Sequence, residues 1–179
     1  MDDVLDALFV DGDARHKEAG TYLFHAGDPV RYVHRIEFGS VHLERTQLDG
    51  QVMCFQRAVQ GDILAEASIY AEAYHCDARV MEPAHIRTVQ IGHLLARLVS
   101  DPGLSRAWAA RLARTVQATR LLAEIRGLKT VEQRLNAWMD HNGALPEKGH
   151  WQNVAHELAV TREALYREIA RRRADGPQR

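Results

Sequence analysis

The sequence predicts an α+β chain: an antiparallel β-roll, then one long helix, then two short helices joined by a tight turn. Three observations carry that prediction. From about Gly20 to about Ile91, short alternating runs such as Val41-His42-Leu43-Glu44-Arg45 are punctuated by Gly27-Asp28, Gly39, Asp49-Gly50 and Gly61-Asp62. Closely spaced turns between half-buried strands signal a compact antiparallel barrel or roll. From about Pro102 to about Ile125, glycine and proline disappear after Gly103 and Ala, Leu and Arg take over, which reads as a long helix. From Trp151 to Arg173, an amphipathic segment, a break at Ala159 and an arginine-rich segment follow one another. The predicted domains are residues 1–101, 102–127 and 128–179.

Within the long helix, Leu112, Val116, Thr119 and Ala123 recur at a 3-4 spacing and form a narrow seam suited to a partner helix. Trp108 is expected to pack on the chain's own roll instead. After Gly127, Thr130 to Met139 reads as an amphipathic helix that Asn142-Gly143 ends, and Pro146 to Gly149 as a loop. In the last segment Val154, Leu158, Val160 and Leu165 are spaced to meet in a wedge between two helices. Ala159 falls at the turn, where a left-handed backbone would cost alanine about 1 kcal/mol relative to glycine. Thr161 is a good N-cap, and Glu163 suits the positive end of a helix dipole.

That segment has the form of a DNA reader. Arg162, Glu163 and Arg167 project from the first turns of the second helix, the part that enters a major groove in helix-turn-helix proteins. Arginine pairs bidentately with guanine, and glutamate accepts from cytosine. Arg171, Arg172 and Arg173 lie further along, where phosphate contact is expected.

Composition agrees with a regulator. A chain of 179 residues with 46% hydrophobic residues can bury one sizeable core and a small satellite. The formal net charge of -1 hides an uneven distribution: Asp2, Asp3, Asp6, Asp11 and Asp13 load one end, arginines the other. No apolar run approaches a membrane span, and Met1-Asp2-Asp3 has the wrong charge for a secretory leader, so a cytoplasmic location is expected. Cys54 and Cys76 are then reduced thiols by default, with Cys54 read as a small buried apolar residue. No nucleophile elbow, phosphate loop, HExxH or cupin-type His-x-His element is present, which argues against an enzyme.

The order of roll, long helix and helix-turn-helix resembles the Crp/Fnr family of bacterial transcription regulators. The resemblance rests on Gly20-Thr21-Tyr22-Leu23-Phe24-His25-Ala26-Gly27-Asp28, Gly39-Ser40-Val41-His42-Leu43-Glu44-Arg45, Asp49-Gly50, Gly61-Asp62 with Glu66, and Arg162-Glu163 with Arg167. It implies a cyclic-nucleotide-binding-like roll and a cytoplasmic homodimer formed through the long helix. It also implies double-stranded DNA carrying inverted-repeat half-sites similar to TGTGA, and RNA polymerase as a further partner. Two departures stand out. Glu168 occupies a position that is usually apolar, and the chain stops at Arg179, short of a full wing. The alternative reading is a ligand-binding module that acts on a protein partner with weak or no DNA binding.

The resemblance places an effector pocket at Glu66, His75, Cys76 and Asp77, with Thr119 of the long helix. Counted without gaps from Glu66, Cys76 takes the place of the family's phosphate-binding arginine and Asp77 that of the next, hydroxyl-bearing residue. A phosphate facing a carboxylate without arginine loses a charge-assisted pair and gains repulsion, so cyclic AMP in the usual pose is disfavoured. His75, Cys76 and Glu66 are ligand types for zinc or copper, provided His75 and Cys76 share a loop. Thiol redox, haem, another small ligand or none remain open, and His25, His34 and His42 are expected at the surface or in turns.

Overall fold

The computed structural model describes residues 3–47, 50 and 52–174. Asp2, Asp49 of the expected Asp49-Gly50 turn and the chain end at Arg179 lie outside them. The described chain forms two compact units, 1–110 and 111–179. The long helix therefore runs through the boundary and is not a unit of its own.

The first unit begins with a short helix α1 (Asp3–Asp6) and a 3₁₀ turn (Ala7–Phe9), followed by strands β1 (Asp13–Lys17), β2 (Tyr22–Phe24), β3 (Tyr32–Thr46), β4 (Val52–Ala58), β5 (Ile63–Leu64) and β6 (Asp77–Gln90). All pairings are antiparallel, in the order β1-β6-β3-β4, with β2 on β6 and β5 on β3. One face of the long β3 and β6 supplies the core: Ile36, Val41, Leu43, Ala78, Val80, Ala84 and Ile86, closed by Phe24, Ala58, Leu64 and Tyr74. Gly39 does not end a strand, as its sequence context suggests, but lies inside β3 where the β3–β6 register shifts. Its φ is +86°, and a Cβ there would stand 2.5 Å from the Pro83 carbonyl oxygen, so only glycine lets β6 come this close. His34 differs from expectation. It is buried in β3, its Nδ1 is 3.1 Å from Thr88 Oγ1, and burial lowers its pKa to about 4.

Helix α2 (Ile91–Ser100) follows β6 directly and buries Leu94 and Leu98. Helix α3 (Pro102–Gly127) is longer. Leu104 and Trp108 near its start are buried, as is Ile125 near its end, while residues 113–120 are exposed.

In the second unit Thr130 opens α4 (Val131–Asn142) with a capping box: its Oγ1 accepts from Gln133 N, and the Gln133 side chain accepts from Thr130 N. A 3₁₀ turn (Lys148–His150) leads into α5 (Trp151–Glu157), and α6 (Arg162–Ala174) follows after four residues. Val154, Leu158 and Leu165 form the expected wedge, with Val160 against it, and Ile125, Leu135, Trp138, Trp151 and Ile169 complete the core.

Candidate nucleic-acid interface and effector cleft

The turn between α5 and α6 is built as its sequence suggests. Ala159 has φ +51°, and Val160 N donates to Ala155 O at 3.0 Å, closing the end of α5 in the manner of a left-handed helix stop. The carbonyls released there are taken by arginines. Arg126 Nε donates to Glu157 O at 2.9 Å, and Arg134 Nη1 to Leu158 O and Ala159 O at 3.1 and 3.2 Å. Cations at a helix C-terminus are favoured by the dipole as well as by the hydrogen bonds. Thr161 Oγ1 accepts from Ala164 N at 3.2 Å, so it caps α6.

Helix α6 has two chemically distinct faces. Arg162, Glu163, Arg167, Ala170 and Arg173 are exposed, and the 3.6-residue repeat puts them on one side with Tyr166 between. Arg162 lies over the Tyr166 ring at 5.1 Å and Arg173 over the Trp151 ring at 5.2 Å, so both guanidinium groups rest on aromatic supports. On the opposite side Leu165, Glu168 and Ile169 are buried. Arg171 and Arg172, grouped from sequence with the DNA-contacting arginines, are drawn toward that side. Arg171 reaches Glu168 at 2.9 and 3.0 Å and Glu132 at 2.9 Å, and Arg172 reaches Glu168 at 2.7 Å and Asn136 Oδ1 at 2.7 Å. These bonds hold the Glu168 carboxyl below the usual range, with those to Arg171 first. Arg173 is the exposed cation at the end of the first face.

In the first unit the loop ahead of β6 and the 3₁₀ turn Glu66–Ser68 enclose a cleft of about 140 Å³. Phe24, Leu43, Phe55, Glu66, His75 and Cys76 are among its walls. Ala65 enters that turn with φ +69°, and Glu66 and Ser68 within it are buried. Glu66, His75 and Cys76 thus line one cleft. Asp77 does not: its Oδ1 accepts from Ala26 N at 2.9 Å and lies 3.3 Å from His25 Nδ1, on the far side of β6 from the buried Ala78. The Asp77 carboxylate therefore adds no repulsion in the cleft, which Glu66 still lines. The buried Cys76 stands where the resemblance places a phosphate-binding arginine. Arg45 at the rim is engaged, donating to His75 O and lying over the Phe55 ring. Thr119 belongs to the other unit, and its Oγ1 donates to Thr115 O at 2.8 Å.

The groups named from sequence as metal ligands line one cleft without converging. Among the described residues no three His, Cys, Asp or Glu side chains are grouped so as to hold a metal ion. Burial pushes the Cys76 and Cys54 thiols up, away from the reactive thiolate. Cys54 is only half-buried, donates to Gln56 O at 3.4 Å and lies opposite Glu44, outside the cleft lining.

Residues 14–100 match the cyclic nucleotide-binding domain family. Over most of its length the chain is also similar in structure to solved regulators. FixK2 from Bradyrhizobium japonicum matches with a TM-score of 0.72 and 17% identity over 93% of this chain and 87% of that one. The c-di-GMP responsive global regulator CLP of Xanthomonas campestris matches with 0.66 and 17% over 97% and 92%. A CRP-family transcriptional regulator of Thermus thermophilus matches with 0.61 and 18% over 90% and 85%. Residues 14–100 thus match a cyclic nucleotide-binding domain, and the fold of the chain is similar to that of these solved regulators. No curated protein matches it in sequence. Among the described residues, no helix is long and apolar enough to cross a membrane.

Proposed function

We propose that this chain is a sequence-specific, DNA-binding transcription regulator that works as a homodimer. The observation that carries the reading is the exposed face of α6, where Arg162, Glu163 and Arg167 stand side by side behind a capped, rigid turn. Base-reading chemistry needs such groups on a stiff element, free of internal partners that would have to be displaced. Dimerisation is supported by α3: Val116, Thr119 and Ala123 of the seam are exposed and Leu112 is only half-buried. Two α6 helices related by a two-fold axis call for an inverted repeat. An electrophoretic mobility assay on TGTGA-like palindromes tests this: a palindrome is expected to bind far better than one half-site or a scrambled duplex. Equal binding to all three would contradict it and leave the protein-partner module as the reading.

The cleft supports a small effector in place of a cyclic nucleotide. Its volume of about 140 Å³ is below the ~300–1,000 Å³ of sites for drug-sized molecules. Its buried polar wall is a carboxylate and a hydroxyl, Glu66 and Ser68, which suits a compact neutral or cationic ligand with hydrogen-bond donors. Calorimetry is expected to show no micromolar cyclic AMP binding. Micromolar affinity that vanishes in Glu66→Ala would overturn that assignment.

A further inference from the structure

Helix α6 carries five arginines, and two of them face a carboxylate that its neighbours on the buried side would not lead one to expect. Glu168 lies between Leu165, Ile169 and the start of α4, is 9% exposed, and receives three charge-assisted hydrogen bonds, two from Arg171 and one from Arg172. Both arginines are held a second time from α4. Arg171 meets the Glu132 carboxylate at 2.9 Å, and Arg172 Nη2 donates to Asn136 Oδ1 at 2.7 Å and to Glu132 O at 3.2 Å. A guanidinium with planar donors filled on both edges has few left for a phosphate oxygen. Arg171 itself stays exposed, but Arg162, Arg167 and Arg173 lie on the other side of the helix, away from Glu168.

We propose that Glu168 acts as an internal stand-in for DNA phosphate: it holds Arg171 and Arg172 against α4, so that α6 meets DNA with fewer free cations and discriminates more by base contact. The proposal rests on the DNA-reading role of α6. Non-specific affinity grows with each phosphate that a cation neutralises, whereas base contacts alone carry sequence preference. Removing two cations lowers the phosphate-borne affinity for every sequence, so that base contacts make up a larger share of what remains. Glu168 is a positioning residue in this scheme and touches no DNA itself.

The test is binding of the full chain to a scrambled duplex over a range of salt concentrations, for wild type, Glu168→Gln and Glu132→Gln. Glu168→Gln is expected to tighten scrambled-DNA binding about tenfold or more at moderate salt, and to steepen the dependence of log affinity on log salt by about two for each helix freed. Glu132→Gln, at an exposed position that leaves the core intact, is expected to do the same more weakly through Arg171. The arginine Nε–H signals of Arg171 and Arg172 should exchange slowly with solvent in wild type and quickly in Glu168→Gln. Unchanged salt slopes in both variants, with native circular dichroism, would overturn the proposal, and so would fast Nε–H exchange in wild type. Should Glu168→Gln not fold, Glu132→Gln and the wild-type exchange rates decide. No salt-dependent binding of wild type to any duplex would refute the DNA role itself and the proposal with it; slow Nε–H exchange would then show that the ion pairs exist without that purpose.

Discussion

In the sheet unit the carboxylate of Asp77, next in sequence to the cleft residue Cys76, turns outward onto His25 and the Ala26 amide, while in the helical unit Glu168 turns inward and two arginines follow it. Both arrangements leave a functional surface with a charge that residue types alone would misjudge. The cleft has one carboxylate fewer than its loop sequence suggests, and the face of α6 that carries Arg162, Glu163 and Arg167 has two cations fewer than the helix's arginine count. A charged side chain near a site changes that site only if its partners leave it free. In both units the partner sits far away in sequence: 51 residues separate Asp77 from Ala26, and 36 separate Arg172 from Asn136.

The largest effect should come from the close approach of β3 and β6 at Gly39. Gly39→Val puts a branched Cβ at positive φ against Pro83 and Ala84. It is expected to destabilise the sheet unit by about 3 kcal/mol or more through strain and overpacking. Hydrogen exchange of β3 and β6 peptides should then accelerate while α4 to α6 peptides keep their rates, and a uniform rise across the chain would break the division into two units.

The sheet unit should also respond to mild acid. His34 has a folded pKa of about 4 against an ordinary value of 6.5, so between those values the unfolded chain binds the proton and the folded chain does not. Stability is therefore whole above pH 6.5 and falls as pH drops toward 4, by up to about 3 kcal/mol. Glu168 acts in a lower window. Its depressed pKa lends the helical unit stability above the ordinary carboxylate range, which is lost as pH falls through the folded value. Chemical denaturation of wild type and His34→Gln from about pH 7 to about pH 4 should show the slope of the wild type flattened in the variant; parallel curves would remove His34 as the cause.

A smaller effect is expected at the turn that presents α6. Arg134→Ala leaves the Leu128, Leu158 and Ala159 carbonyls without their donor. It should lower the stability of the helical unit by about 1–3 kcal/mol, with melting followed by fluorescence of Trp138 and Trp151 set against that of single-tryptophan controls. An unchanged transition would mean that solvent satisfies those carbonyls equally well.

How much of this was legible in the sequence follows the range of the interactions. The wedge of Val154, Leu158 and Leu165, the left-handed Ala159 and the Thr161 cap were readable because each depends on neighbours within a few residues. The long α3 and the antiparallel sheet were readable from periodicity and turn spacing. Gly39 was misread as a turn, because a bulge inside a 15-residue strand and a turn between two shorter ones leave the same glycine signal. Burial of His34 depends on Thr88, 54 residues away. The outward turn of Asp77 and the capture of Arg171 and Arg172 depend likewise on partners that no local pattern names.

Whether the exposed face of α6 reads base edges is decided by paired titrations followed by fluorescence anisotropy. Wild type, Arg162→Ala, Glu163→Ala and Arg167→Ala would each be titrated with a selected palindrome and with its scrambled counterpart at several salt concentrations. Each substitution is expected to weaken palindrome binding by about 1–3 kcal/mol and relax preference at one position of each half-site, with scrambled-DNA affinity changing far less. Identical losses on the two duplexes, or a wild type that binds both equally, would contradict a base-reading role for this helix.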